Sequence, residues 1–127
     1  MHEMMPGNWI PVCDGEALKE GGKGVRFPVS AGGERTTGFV VRYRGQVYAY
    51  LNRCAHVPVE LDWNEGIFFE SGGDYLACST HGALYQPETG LCKLGPCRGR
   101  SLRPLNIRED AGQIFWRPDD YVTPADA

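Results

Sequence analysis

Four residues of this chain have the types and spacing of a metal site. Cys54 and His56 are separated by one residue, and Cys78 and His81 are separated by two. Each segment offers one thiolate and one imidazole, and two such loops can converge on one metal centre. Ligands of this kind suit zinc or an iron–sulfur cluster, and they do not suit calcium or magnesium. The pattern therefore predicts a site for a transition metal.

The order of the ligands separates these two possibilities. Structural zinc sites usually take two cysteines from one knuckle, whereas cysteine and histidine alternate in this chain. In one kind of [2Fe–2S] centre, two histidines replace two cysteines on one of the irons. A loop that gives its cysteine to one iron and its histidine to the other fits that centre. The alternation therefore favours a mixed Cys/His [2Fe–2S] cluster, and a zinc site remains the alternative.

The motifs resemble those of the Rieske iron–sulfur family. The similarity extends over residues 8–118, and the matching segments are Cys54-Ala55-His56, Cys78-Ser79-Thr80-His81-Gly82, Thr89-Gly90 and Gly95-Pro96. The chain looks most like the small ferredoxins of this family, which carry single electrons to or from oxygenases and related reductases. The resemblance implies one [2Fe–2S] cluster per chain, with Cys54 and Cys78 on a buried iron and His56 and His81 on a more exposed iron.

The resemblance also implies roles for residues around the cluster. Gly95 and Pro96 match the loop that covers it. Tyr85 matches a tyrosine that donates a hydrogen bond to a cluster sulfur, whereas Ala83 stands where high-potential members have a donating serine. With one donor lost, we expect a potential in the lower part of the range of about −150 to +300 mV. Packing alone is the alternative role for Tyr85, and a simple turn is the alternative for Pro96.

Residues that flank the motifs suggest a docking surface. An apolar rim around the two imidazoles is predicted from Val57, Pro58 and Leu84. Three arginines lie within six residues of one another and would steer an acidic redox partner, namely Arg98, Arg100 and Arg103. A solvated surface without a partner is the alternative for such a charge cluster.

The glycine and proline content predicts short strands joined by turns. The chain has 127 residues, of which 17 are glycine and nine are proline, and its length is that of one domain. The clearest hairpin pairs residues 37–43 with 46–51 around Arg44-Gly45 and leads to the first motif. A second hairpin, 66–70 with 74–78, leads to the second motif. Pro28 marks residues 25–30 as an edge strand.

These elements predict an all-β fold. By resemblance, it is the Rieske fold, in which a small cluster-binding subdomain is inserted into an antiparallel β base. We expect one domain over residues 1–127, with that subdomain at about 52–99. Flexible ends are expected at about 1–8 and 119–127.

Charge and hydropathy give no sign of a nucleic-acid partner or of a membrane span. The net charge of −3 does not indicate nucleic acid, and no stretch of 18 apolar residues predicts a membrane span. The first eight residues show no export signal, so we expect a cytoplasmic protein, monomeric by default. Five cysteines leave Cys13, Cys92 and Cys97 outside the motifs. Cys92 and Cys97 are close enough in sequence to meet, so a bridge between them is the alternative, but two small buried thiols are expected because a reducing cytoplasm disfavours a bridge.

The function expected from the resemblance is that of an electron carrier without a catalytic site. Besides the motif residues, only His2 remains as a histidine, so the two-histidine, one-carboxylate iron site of an oxygenase cannot be built. The partners would be a reductase and a terminal oxygenase or reductase. The alternatives are a small Rieske subunit of a nitrite-reductase type of enzyme, or a zinc-stabilised binding module with no redox role.

Overall fold

A computed structural model describes residues 9–55, 59–62, 64–78, 82–95 and 97–125. Within these residues the protein is built from strands and one 3-10 turn, Gly15–Ala17, which confirms the predicted all-β class. No helix in these ranges has the length and hydropathy needed to cross a membrane. The strands are β1 Ile10–Asp14, β2 Val25–Ala31, β3 Glu34–Tyr43, β4 Gln46–Leu51, β5 Leu76–Ala77, β6 Leu84–Tyr85, β7 Cys92–Leu94, β8 Asn106–Asp110, β9 Gln113–Arg117 and β10 Val122–Pro124.

Two antiparallel sheets form the base of the fold. One has the strand order β10-β2-β3-β4, and the other has the order β1-β9-β8. Their facing side chains alternate along each strand and share one core, in which the rings of Phe27 and Trp116 lie 5.3 Å apart. Leu105, which follows the cluster region in the chain, is buried in the same core. The base is therefore a rigid support for the loops at its end.

The β3–β4 hairpin has the position predicted for it. Arg44 and Gly45 both have positive φ, 52° and 79°, as a two-residue type I′ turn requires. The register pairs Tyr43 with Gln46 and continues to Gly38 opposite Leu51. The hairpin thus delivers the chain to Asn52 and the first motif without an intervening flexible segment.

The small third sheet, β5-β6-β7, carries the second motif. Phe69 bridges to Leu76, and the Glu70 amide donates to the Tyr75 carbonyl, so the predicted second hairpin is present. This sheet lies within the range predicted for the cluster-binding subdomain, but its core is continuous with one face of the base. Phe39 of β3 stacks on Phe68 with ring centroids 3.9 Å apart.

Two predictions about strands were wrong. Residues 25–30 are not an edge strand, because β10 pairs with residues 29–31 on the outer side of β2. Pro28 lies just outside that pairing, as suits a residue that has no N–H. The predicted loose tail from Asp119 is instead held by β10, where Val122 is fully buried.

Candidate metal centre

The two motif cysteines are buried in one core. Cys54 follows the β3–β4 hairpin, Cys78 follows β5, and their residues are 4% and 0% exposed. Both belong to the cluster of side chains that joins the small sheet to the base. Loops that are distant in sequence therefore bring two cysteines into the same apolar region. The predicted ligands His56 and His81, the rim residues Val57 and Pro58, and Pro96 of the covering loop lie outside the described residues.

Each cysteine loop is closed at its base by a hydrogen bond from its cysteine. The Cys54 amide donates to the carbonyl of Val59 at 2.8 Å, and the Cys78 amide donates to the carbonyl of Ala83 at 2.9 Å. Within the second loop, the Gly82 amide also donates to the Cys78 carbonyl. The loops therefore span residues 54–59 and 78–83, and their ends are fixed by the backbone. Such hydrogen bonds fix the positions of the two cysteines.

Tyr85 connects the two halves of the site. Its side chain is fully buried on β6, and its hydroxyl oxygen lies 3.1 Å from Cys54 Sγ and accepts a hydrogen bond from the Ala55 amide at 3.0 Å. Burial, and then the contact with Cys54, raise the pKa of the Tyr85 phenol above its usual value. Because the hydroxyl oxygen already accepts from the Ala55 amide, its proton is free to point toward the Cys54 sulfur. Tyr85 therefore packs in the core and contacts the sulfur of one motif cysteine, and its hydrogen bond to a cluster sulfur stays a prediction.

A third loop packs against the end of the second at Gly95. At Gly95, where φ is +103°, a Cβ atom would lie 2.9 Å from the Cα of Ala83. Glycine is thus needed for both the backbone conformation and the close approach to the second loop. Ala83 is fully buried and has no side-chain donor, so the second sulfur hydrogen bond of high-potential proteins has no source at this position.

The expectation of two thiols at Cys92 and Cys97 was wrong. The structure joins them in a disulfide, with Cα atoms 5.9 Å apart. The reason is local: the turn after β7 folds back, with the Arg98 amide donating to Gly95 and the Gly99 amide donating to Cys92. Both sulfurs are buried as predicted, and Cys97 Sγ lies 3.3 Å from the Tyr85 hydroxyl. The bridge thus fastens the third loop beside the site.

A buried polar pair that sequence reasoning missed supports the first loop. Asn52 and Asp62 are 1% and 5% exposed. The Asn52 amide nitrogen donates to Asp62 Oδ1 at 2.9 Å, and the Leu61 backbone amide donates to Asn52 Oδ1 at 2.9 Å. Asp62 Oδ2 accepts from the Gly66 amide. These bonds lock the two ends of the first loop together. A possible sequence signal was the asparagine that directly follows a buried strand.

One arginine contacts three acidic residues near the first loop. The Arg26 guanidinium lies 2.8 Å from Glu60, and 3.7 Å from both Asp62 and Glu65. Asp62 is therefore an internal structural residue and not part of a free acidic patch. Since Glu60 also accepts from Thr37, this side of the site is occupied by internal contacts.

The described side chains suit a thiolate-bound cluster. Two buried cysteines on separate pinned loops, with a tyrosine hydroxyl beside one sulfur, match the donor set of one iron in a mixed Cys/His centre. A zinc knuckle would instead place two cysteines on one loop. The site thus fits the cofactor predicted from the sequence, on the side that the structure describes.

Comparison with known proteins agrees with this chemistry. The model of the Rieske [2Fe-2S] domain matches residues 8–109. The methylxanthine N3-demethylase NdmB of Pseudomonas putida is 31% identical over 99 residues, which are 76% of this chain and 27% of the demethylase. The chain therefore spans about a quarter of that relative.

Solved structures give the same fold. The ferredoxin of carbazole 1,9a-dioxygenase from Nocardioides aromaticivorans IC177 superposes with a TM-score of 0.69 at 25% identity, covering 89% of this chain and 100% of that ferredoxin. The terminal oxygenase of carbazole 1,9a-dioxygenase from Novosphingobium sp. KA1 has a TM-score of 0.68 at 23% identity, covering 94% of this chain but 32% of the oxygenase. The second likeness concerns the fold alone.

Proposed function

Because this chain belongs to the Rieske [2Fe-2S] domain family, we propose that it is a one-electron carrier of the ferredoxin type that delivers electrons to a terminal oxygenase. The family's cofactor is a single [2Fe–2S] cluster. The observation that supports the proposal most is the match to a ferredoxin over that protein's whole length. The proposed partner class, a terminal oxygenase, is the one found in solved complexes of oxygenase and ferredoxin in carbazole 1,9a-dioxygenase.

Four residues of this chain would hold the cluster, namely Cys54, Cys78, His56 and His81. When bound, the cluster supplies reversible one-electron chemistry at a potential that histidine ligation raises. The protein excludes water from the two thiolates by burying both cysteines. The Tyr85 hydroxyl donates toward Cys54 and so favours the more negative, reduced state. The cytoplasmic location stays a prediction.

Counting electrons tests the carrier function directly. We expect an anaerobic titration with dithionite to reduce the protein with a single electron per chain, and an added oxidant to restore the starting spectrum over repeated cycles. Irreversible loss of colour, or no electron uptake, would contradict the proposal. Electron transfer to a terminal oxygenase, followed by stopped flow, then tests the partner class.

We expect Tyr85→Phe to lower the midpoint potential. The substitution removes the hydroxyl that lies 3.1 Å from Cys54 Sγ while keeping the buried ring. A hydrogen bond to a charged group contributes about 1.5–3 kcal/mol, and only its difference between the two redox states alters the potential. Since tenfold in a one-electron equilibrium corresponds to about 59 mV, a fall of about 50 mV is expected by film voltammetry.

Tyr50→Phe is the matched control for this substitution. Tyr50 is also buried, but its hydroxyl donates to the Pro87 carbonyl at 2.7 Å, and neither motif cysteine is its partner there. The potential of this variant should stay within a few millivolts of wild type. Equal shifts in the two variants, or no shift in Tyr85→Phe, would show that the phenol acts only through packing.

A further inference from the structure

The segment 93–103 carries a local charge opposite to that of the whole chain. It contains Lys93, Arg98, Arg100 and Arg103 and no acidic residue. The whole sequence has 13 basic and 16 acidic residues, so the remaining chain has nine basic residues (13 − 4) against 16 acidic ones. We call residues 93–103 the basic loop. In a protein of net charge −3, this uneven distribution of charge creates a local positive electrostatic potential near the basic loop.

The basic loop lies against both cysteine loops. Arg100 Nη1 is 3.4 Å from the carbonyl of Ala55, which directly follows Cys54. At its other end, Leu94 pairs with Leu84 in the small sheet, and Gly95 lies close against Ala83 at the end of the second loop. The Cys92–Cys97 bridge fastens its middle. The positive charge therefore lies beside the loops that carry the two motif cysteines.

Three of its cations are not neutralised within the described structure. Arg103 pairs with Asp119 at 3.3 Å and stacks over the Tyr121 ring at 4.8 Å. By contrast, across the described ranges no ion pair involves Lys93, Arg98 or Arg100, and all three are exposed. Among them lies Leu94, which at 53% is the most exposed of the large hydrophobic residues described. Unpaired charges of one sign on an exposed surface are suited to the encounter with a partner of the opposite charge.

We infer that the basic loop docks a redox partner whose contact surface is acidic, with an apolar depression that accepts Leu94. The inference rests on the proposed carrier function and adds the sign of the partner's charge. Charge complementarity raises the association rate and orients the encounter, which brings the cluster end of this chain toward the partner.

Two protein oxidants of opposite charge test the inference. The dithionite-reduced holoprotein is mixed in a stopped-flow instrument with plastocyanin, an acidic blue-copper protein, or with basic cytochrome c. At low ionic strength we expect the rate with plastocyanin to fall as salt is added, whereas the rate with cytochrome c does not fall. Arg98→Glu combined with Arg100→Glu should slow the plastocyanin reaction about tenfold.

The matched control reverses two arginines of the base. Arg108 and Arg117 are exposed and stack on Trp9, so Arg108→Glu with Arg117→Glu changes the net charge equally at another place. We expect less than a twofold change with plastocyanin. The single Arg98→Glu variant avoids disturbing the contact of Arg100 with Ala55, and it should retain part of the effect.

The outcomes separate the two proposals. Equal slowing in the base control and the basic-loop variant, or faster transfer to cytochrome c that weakens with salt, would overturn the docking surface and leave the carrier function intact. No electron transfer to either oxidant would overturn the carrier function, and the docking proposal with it.

Discussion

Replacement of Cys54 or Cys78 by serine is expected to abolish the cluster, with loss of bound iron, sulfide and visible absorption. Each cysteine is buried on its own loop, so each would hold the inner iron from one side. A serine hydroxyl at the same place is protonated at neutral pH and is a poor ligand for iron. Iron and sulfide analysis of the purified variants, together with their absorption spectra, measures the loss.

Cys13→Ser provides the control for this loss. Cys13 is half-buried on β1. In the antiparallel pairing of β1 with β9 it lies opposite Ile114, outside both cysteine loops. Burial, and then the charge of Asp14, raise the pKa of the Cys13 thiol, which keeps it neutral and unsuited to metal binding. This variant should keep its full iron content. Retention of the cluster in Cys78→Ser would contradict the proposed ligand set.

Asp62→Ala is expected to lower the free energy of unfolding by about 3 kcal/mol. The substitution removes the acceptor of the Gly66 amide and one of the two acceptors of the buried Asn52 amide nitrogen, which keeps its hydrogen bond to Thr37 Oγ1 at 3.0 Å. The Arg26 guanidinium also loses the one buried carboxylate beside it. Because these bonds hold the first loop, the variant should also lose its cluster faster under a chelator. Urea denaturation of the holoprotein followed by circular dichroism gives the change.

Glu65→Ala is the matched control for Asp62→Ala. Its carboxylate is also near Arg26, at 3.7 Å, but its side chain is 79% exposed. Exposed ion pairs contribute little, so the unfolding free energy should change by less than about 0.5 kcal/mol. If both alanine variants unfold at the same urea concentration, the buried Asn52–Asp62 pair does not stabilise the first loop.

The parts of this protein that could be predicted from sequence are those with a local physical cause. The β3–β4 hairpin follows from alternating apolar residues on both sides of Arg44-Gly45, whose turn geometry fixes the register. The assignment of Cys54 and Cys78 as candidate ligands follows from the residue types and spacing of the two motifs. Both kinds of information are contained within about ten consecutive residues.

The parts that could not be predicted depend on contacts between distant segments. The structural role of Asp62 arises only from its position next to Asn52 in the fold. The strand formed by Val122–Pro124 depends on a free edge of β2 that is about ninety residues earlier in the chain. Similarly, whether Cys92 and Cys97 meet depends on how the intervening turn folds, and spacing alone left both states open.

The most direct test is the low-temperature EPR spectrum of protein purified without air, recorded before and after reduction with dithionite. A Rieske cluster held by two cysteines and two histidines predicts a red-brown protein that is EPR-silent when oxidised. After reduction it should give a rhombic signal whose average g value lies below that of the free electron. A colourless protein that contains zinc, which is d¹⁰ and has no redox chemistry, would contradict the assignment of the cluster and of the electron carrier.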